Sequence, residues 1–593
     1  MTFLPIIDRE LRVAARKRST FWLRVTSALV GMVIGGGIMM LSRIGAFGAS
    51  AMGNALFGVL TWLALLVALA AGLFFTSDCL SEEKREGTLG FLFLTDLRGY
   101  DVVGGKLLAT SLRVTYALMS VIPILAVTFL MGAVSGPQYW KTALGLLNAL
   151  FFSLAAGLMV SALSRDAQKA LGATVGLLLL LVLGGPVIDF LYSDAHRRVF
   201  KPLLSLASPG YVFTLAGAWG RNPYWPALGI SHALGWGMLA LACLIVPRSW
   251  QEKGRKPGAS RRSYWWRYGG ARRRQRLRGK LLERNPILWL CCRERWQSVG
   301  MWAVSLILAG VLAAFVVWKA KEEVWGAWGA LSWLLVAVLY LWMASQSGRF
   351  FIQARRSGLI ELLLVAPLTV RQVVQGQWRA LVRMFGAPVG LLLLVELVGG
   401  CLAYRTFWVW GTAVPRQWSA MAALATSGAA TLSTLASVAA LAWFGMWMGM
   451  TSRNASLVTL KTIVFVKVIP FLVIYFVTMY TMFLVVLLPQ TMRMRTAAAG
   501  PVTTTITNAS GGTTVTVTAP TPFSAMTPLW ISLLMTCLPA ALNVAVDLGF
   551  IALARSRLHS TFRLLAVRSL GSAPPAPASP PASAPPVIGP RPT

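Results

Sequence analysis

The sequence predicts an all-α polytopic membrane protein of about twelve transmembrane helices, built as two six-helix repeats related by pseudo-two-fold symmetry. Three observations predict it. Of 593 residues, 56% are hydrophobic and 12% charged, and the mean hydropathy is +0.66. Soluble domains carry about twice that charge fraction. Apolar runs of roughly 20 residues, the length that crosses a hydrocarbon core, recur along the chain. Finally, one polar stretch occurs twice without a gap. Residues 82–107 read EEKREGTLGFLFLTDLRGYDVVGGKL and residues 353–378 read QARRSGLIELLLVAPLTVRQVVQGQW, at a fixed offset of 271 residues. Arg85 falls on Arg356, Gly87 on Gly358, Leu92 on Leu363, Leu97 on Leu368, Val103 on Val374 and Gly105 on Gly376. Each copy follows one apolar segment and precedes another, so the chain reads as two related halves.

The first apolar run begins near Phe21, after Arg9, Arg12, Arg16, Lys17 and Arg18. It has no small-residue cleavage site and more spans follow, so it reads as a retained first helix and not a cleavable signal. The expected spans of the first half are 21–42, 54–77, 107–134, 143–164, 170–191 and 228–247. Those of the second are 299–318, 326–346, 379–403, 422–451, 457–488 and 528–554. Gly184-Gly185-Pro186 and Pro470 predict kinks in the fifth span of each half. Lys and Arg concentrate in 1–20, 78–106, 165–169, 248–298, 347–378 and 555–570, and are sparse in 43–53, 135–142 and 404–418. The basic segments therefore face the cytoplasm, and an even number of spans puts both termini there.

The organisation that follows is a first transmembrane half (1–247), a basic cytoplasmic linker and interfacial helix (248–298), a second half (299–554) and a basic, then Pro-rich, disordered tail (555–593). Pro5-Ile6-Ile7 is echoed by Pro286-Ile287-Leu288, just before the first span of each half, as a short helix on the inner surface would require. Thr alternates with Ile or Val on both sides of Asn508-Ala509-Ser510-Gly511-Gly512, which predicts a small extracellular β-hairpin within 500–520. The net charge of +36 would suggest nucleic acid in a soluble protein. Here the basic residues flank the spans, and positive-inside sorting accounts for them without a nucleic-acid partner. The basic run Arg272–Lys280 reads as a linker against anionic lipid headgroups. The six cysteines have no CxxC spacing and no nearby His, so no metal site is expected and they read as small apolar packing residues.

The duplicated element holds the most chemistry. Glu82, Glu83, Lys84, Arg85 and Glu86 cannot lie in hydrocarbon. Leu89, Leu92 and Phe93 repeat at i, i+3 and i+4, giving one apolar stripe on a short helix that Asp96 or, in the second copy, Pro367 would end. Such a helix offers a docking surface to a soluble partner. An interfacial helix that merely anchors a loop has the same pattern, and composition alone favours that reading.

The residues Glu83-Lys84-Arg85-Glu86-Gly87-Thr88-Leu89, then Leu92 and Leu94-Thr95, resemble the E-R-E-x-G-T-L-E-x-L-L-x-T-P signature of ABC-2 type transporter permeases. The second copy, Arg355-Arg356-Ser357-Gly358-Leu359-Ile360-Glu361-Leu362 and on to Pro367, matches from the other end. It keeps Glu361 and Pro367 where the first copy has Gly90 and Asp96, but lacks the acidic residue before the glycine. Ser161–Ala167 is similarly echoed by Gly449–Ala455, a tight turn between the fourth and fifth spans. The resemblance implies a permease, with both transmembrane halves in one chain, in a bacterial inner membrane. It implies a separate ATP-binding subunit, in two copies, carrying ATP and Mg; this chain would bind no cofactor and catalyse nothing. The docking residues it implies are Glu83, Arg85, Glu86, Gly87, Thr88, Leu89 and Leu92, with Arg356, Gly358, Leu359, Glu361, Leu362 and Pro367.

Other signals are weaker. Gly99–Leu107 approaches a P-loop, but its glycine spacing is one too long and Leu107 stands where Ser or Thr would bind Mg. His196, His232 and His559 are too scattered for a triad or a zinc site. Asp189, Glu396, Lys467 and Asp547 fall in or near spans, and Glu396 is the best placed as a candidate pathway residue. The alternative function is an ion-gradient-driven secondary transporter. That class is expected to show matching intramembrane acids in both halves, whereas Glu396 aligns with Leu125.

Overall fold

The structure, a computed structural model, describes residues 49–94, 98–119, 122–130, 132–195, 200–218, 222–249, 270–293, 296–317, 322–408, 416–452, 454–482 and 523–570, with 484, 506–507, 513–514 and scattered helical positions in 25–37. It is helical nearly throughout. In the first half the helices are α1 (Ala49–Ala71), α2 (Cys79–Glu86), α3 (Thr88–Phe93), α4 (Gly99–Met119), α5 (Ile122–Leu130), α6 (Gly136–Leu163), α7 (Ala167–Leu179), α8 (Gly185–Ala195), α9 (Pro209–Ala216) and α10 (Tyr224–Ser249). Two short helices follow, α11 (Ala271–Leu282) and α12 (Pro286–Cys292). The second half has α13 (Trp296–Val317), α14 (Glu322–Ser347), α15 (Arg349–Arg356), α16 (Leu359–Val365), α17 (Val370–Trp408), α18 (Arg416–Thr451), α19 (Ala455–Ile463), α20 (Ile469–Met482) and α21 (Phe523–Leu570).

Nine helices among the described residues are long and apolar enough to cross a membrane, against the twelve expected. The span expected over 21–42 falls almost wholly outside the described residues. The run expected as one span over 107–134 is covered by α4 and α5, and residues 120 and 121 between them lie outside the described residues. The span over 299–318 is matched by the shorter apolar stretch Ser298–Ala314. The two-residue strands Ile506–Thr507 and Thr513–Thr514 pair antiparallel. The rest of 500–520 is outside the described residues, so the pairing does not establish a hairpin there.

The kinks expected from proline take a specific form. One π-helical turn, Leu180–Gly184, joins α7 to α8 just before Pro186, and another, Val464–Val468, joins α19 to α20 just before Pro470. A wide turn ahead of a proline redistributes the carbonyls its ring leaves without an amide. The Val182 carbonyl accepts instead from Ser208 Oγ at 2.6 Å.

Each half packs around one central helix. In the first, α6 is flanked by α1, α4, α7, α9 and α10; in the second, α18 is flanked by α14, α17, α19 and α21. The largest buried cluster, with Leu339, Phe351, Phe385, Leu392, Leu441 and Phe444, belongs to the second half, joined by Ile287 of α12. The first half has its own, around Leu80, Val102, Phe152, Leu158 and Ala242. Glycine lets the helices close up. A Cβ on Gly157 of α6 would stand 2.1 Å from Thr76 Oγ1, and one on Gly445 of α18 would stand 1.8 Å from Ser347 Oγ. The halves meet where α7 and the π-turn Gly72–Thr76 touch α14 and α19. There Gln168 Nε2 donates to the Ser345 carbonyl at 2.7 Å.

Candidate docking surfaces

The duplicated stretches form the same construction twice. A short helix (α2 or α15) is followed by a glycine in the left-handed region, Gly87 at φ 73° directly after α2 or Gly358 at φ 70° one residue further on after α15, and a second short helix (α3 or α16) starts directly after the glycine. A side chain there costs roughly 1–2 kcal/mol in left-handed backbone. The repeated glycine therefore bends each stretch into two helices.

Basic side chains fasten each first helix to the end of its central helix. Lys84 Nζ donates to the Ala162 carbonyl in the last turn of α6. Arg355 Nη1 donates to the Met450 carbonyl in the last turn of α18 at 3.0 Å. Lys84 and Arg355 are related by the 271-residue offset, and Ala162 and Met450 occupy equal places in the echoed turns. Cations at helix C-termini satisfy orphan carbonyls and oppose the helix dipole. In the first half Ser161 Oγ also accepts from the Leu80 and Ser81 amides at 2.9 and 3.0 Å, capping α2. Gly449 stands in the place of Ser161 and has no such hydroxyl; a Cβ there would meet the Gly348 carbonyl at 2.7 Å.

The expected docking residues divide into two groups. Leu89 is buried at 1% exposure and Leu359 is half-buried, so they anchor their helices. Arg85 turns inward, to Asp78 Oδ1 at 2.9 Å and the Arg165 carbonyl at 3.1 Å. Glu83 pairs with Lys106 at 2.7 Å. Arg356 reaches across to the other half, where its Nη2 lies 3.5 Å from Glu82 Oε1. Glu86, Gly87, Thr88, Glu361, Leu362 and Pro367 are exposed, and Gly358 is half-exposed. Leu92 lies in α3, and the residue Asp96 falls outside the described set.

Two exposed apolar pairs escape the sequence reading. Phe91 and Leu94 are 71% and 76% exposed, and Leu362 and Val365 are 68% and 88% exposed. The pairs coincide at the 271-residue offset, as do the buried anchors Leu89 and Ile360. Each element thus hides one aliphatic side chain and presents two apolar ones beside a polar rim, here Glu86 and Thr88 or Glu361. The repeat itself was the signal that could have found them, because both positions are apolar in both copies.

The intramembrane charges also have partners. Asp189 accepts from the Leu203 and Ser205 amides, both at 2.8 Å, and from Ser205 Oγ at 2.7 Å, which organises the chain beyond α8. Asp547, fully buried, pairs with Lys467 at 3.2 Å and accepts from Ser437 Oγ at 2.6 Å. Lys467 also stands 5.0 Å over the Tyr340 ring. Glu396 accepts from Thr434 Oγ1 at 3.4 Å, and its other oxygen is buried without a hydrogen bond. The six cysteines are free. Burial pushes the Cys292 thiol up to about 11, and Cys291 donates to Gln377 Oε1 at 2.8 Å, so neither is a thiolate at neutral pH. No cluster of metal-binding side chains occurs among the described residues.

Nine helices of spanning length among the described residues define a multi-pass membrane protein. Residues 6–223, nearly all of the first half, match the family described as ABC-2 family transporter protein, which supports an ABC-2 type permease. That family is a membrane transport component and not itself a catalyst. No curated protein matches the chain.

Proposed function

We propose that the chain is the permease subunit of an ABC-2 type exporter, whose two halves form the translocation pathway and whose power comes from two copies of a separate ATP-binding protein. The observation that carries this reading is the pair of equivalent exposed surfaces, Phe91 with Leu94 and Leu362 with Val365, at one offset in the sequence. Exposed apolar side chains in matched positions beside a polar rim are what partner docking needs. The short helix behind each surface is fastened to the end of the central helix of its half. A push on α3 or α16 is therefore delivered to α6 or α18.

In this mechanism ATP-driven closure of the two partners moves the surfaces, and the halves rock about the contact of α7 with α14 and α19. The halves correspond in parallel, as a pseudo-two-fold axis along the membrane normal requires. The basic face, with both termini, is cytoplasmic in a bacterial inner membrane, and 500–520 lies outside as a small hairpin. Glu396, with one oxygen unengaged near the middle of α17, is the candidate residue facing the pathway. An ion-gradient transporter would be expected to repeat such acids in both halves, and Leu125 occupies the matching place in the first.

Purification in mild detergent tests the reading. Recovery of an ATP-binding protein with the chain, lost when Phe91, Leu94, Leu362 and Val365 are all replaced by Glu, is the expected result. Recovery of no ATP-binding protein, with transport that persists when ATP is depleted, would sink it in favour of the ion-driven alternative.

A further inference from the structure

The turn between α6 and α7 and its echo between α18 and α19 each end on the residue that starts the next helix, Asp166 or Asn454, and the two occupy equal places in the echoed turns. Both reach across to the other half. Asp166 Oδ1 accepts from the Gln168 amide at 3.1 Å, capping α7, while its Oδ2 stands 3.7 Å from Nη2 of Arg349, the first residue of α15. Asn454 makes no such cap, and its Nδ2 donates instead to Glu82 Oε2 of α2 at 3.5 Å. Glu82 Oε1 meets Arg356 Nη2 of α15, also at 3.5 Å. The first helix of each duplicated element therefore touches the turn of the opposite half. The gripping positions nearly correspond, since Arg349 aligns with Asp78 at the 271-residue offset, about one helical turn before Glu82.

These contacts cross the interface beside a cavity of about 640 Å³ that has Asp166, Arg349 and Arg356 in its lining, so close packing does not lock the halves there. Partly exposed pairs of this kind add little to stability, because water and salt screen them. Their reciprocal arrangement has a geometric consequence instead. A displacement of α2 pulls on the start of α19, and a displacement of α15 pulls on the start of α7. Lys84 and Arg355 fasten the same two helices to the ends of α6 and α18. Each short helix is thus held by its own half on one side and by the opposite half on the other. We propose that Glu82, Asn454, Asp166 and Arg349 are positioning residues for transport: through them each docking element grips the opposite half, and a partner pushing on either surface moves both halves together. The transport role rests on the permease reading, whereas the crossed grip is independent of it.

Amide hydrogen exchange of the purified full chain in detergent, read by mass spectrometry, tests this. Glu82→Ala breaks one crossed contact. Asp166→Asn removes the charge from the other and keeps a side chain able to cap α7. Glu283→Ala, which removes an exposed carboxylate at the end of α11, is the control. Each crossed variant is expected to speed exchange roughly threefold at both contacts, the size that loss of a partly exposed pair gives within one linked unit. The segments read are 79–86 and 455–460 for one contact and 167–172 and 349–356 for the other, and the control leaves all of them unchanged. Glu82→Arg with Arg356→Glu rebuilds the ion pair in reverse, and should return exchange at the Asp166–Arg349 contact to the wild-type rate. A rise confined to the contact that was altered, or a reversed pair no better than Glu82→Arg alone, would overturn the proposal. Recovery of the ATP-binding protein is scored separately. Its absence counts against the permease reading and leaves the exchange result to decide the crossed grip.

Discussion

Gly87 and Gly358 show how one residue type can be read in sequence and only later explained. Their alignment was visible in the repeat; their left-handed backbone, φ 73° and 70°, supplies the reason for it. Nothing lies within 4 Å of a Cβ built on either, so a substitution would strain the backbone and clash with nothing. Gly87→Val should cost roughly 1–2 kcal/mol, and Gly87→Asn much less, since Asn tolerates this region. The melting temperatures of the two variants, measured side by side, check this, and equal values would contradict it. The exposed pairs were harder to see. The segment Thr88–Phe93 has no charged residue to mark its outer face, so spacing alone pointed to Leu89, Leu92 and Phe93 as the stripe. Leu89 is indeed buried, but Phe91 is among the side chains turned outward. Phe91→Ser should change stability by no more than about 0.5 kcal/mol, read as a nearly unchanged melting temperature, while weakening recovery of the ATP-binding protein. A large loss of stability would assign Phe91 to the core.

At the scale of elements, the fastening of α2 to α6 joins parts distant in sequence. The basic residues 84 and 355 were legible as charges to be kept out of hydrocarbon, but their carbonyl partners at Ala162 and Met450 were not. No side-chain pattern announces a backbone acceptor. Ser161 is similar: the small-residue turn was visible, its capping of the Leu80 and Ser81 amides was not. Ser161→Ala should destabilise by about 1 kcal/mol, the usual cost of a lost cap, while Ser161→Thr should retain the cap if its methyl is accommodated. Thermal unfolding of both variants is the check, and an unchanged Ser161→Ala would refute the capping role. The polar cluster linking α18, the π-turn and α21 makes a firmer demand. Asp547→Leu leaves the Lys467 charge buried without its carboxylate, which should cost about 3–5 kcal/mol. Adding Lys467→Met should recover much of that loss. Expression level and detergent melting temperature of the single and double variants test it, and a double variant no better than the single would contradict the pairing.

For the whole molecule, the membrane class and the doubling were carried by hydropathy and one repeat, and the family match over residues 6–223 agrees with the first half of that reading. The span count was less legible. Residues 120 and 121, within the expected span 107–134, and most of 21–42 lie outside the described residues. The cavity between the halves was not legible at all, since its arginines come from four separate stretches, each of which reads as ordinary cytoplasmic charge. The central claim is that the two halves present two equivalent docking surfaces. Native mass spectrometry of the purified complex tests it most directly, with Phe91→Glu and Leu94→Glu in one variant, Leu362→Glu and Val365→Glu in a second, and all four in a third. The account predicts two ATP-binding subunits on the wild type, one on each of the first two variants and none on the third. Two subunits on every variant would contradict it.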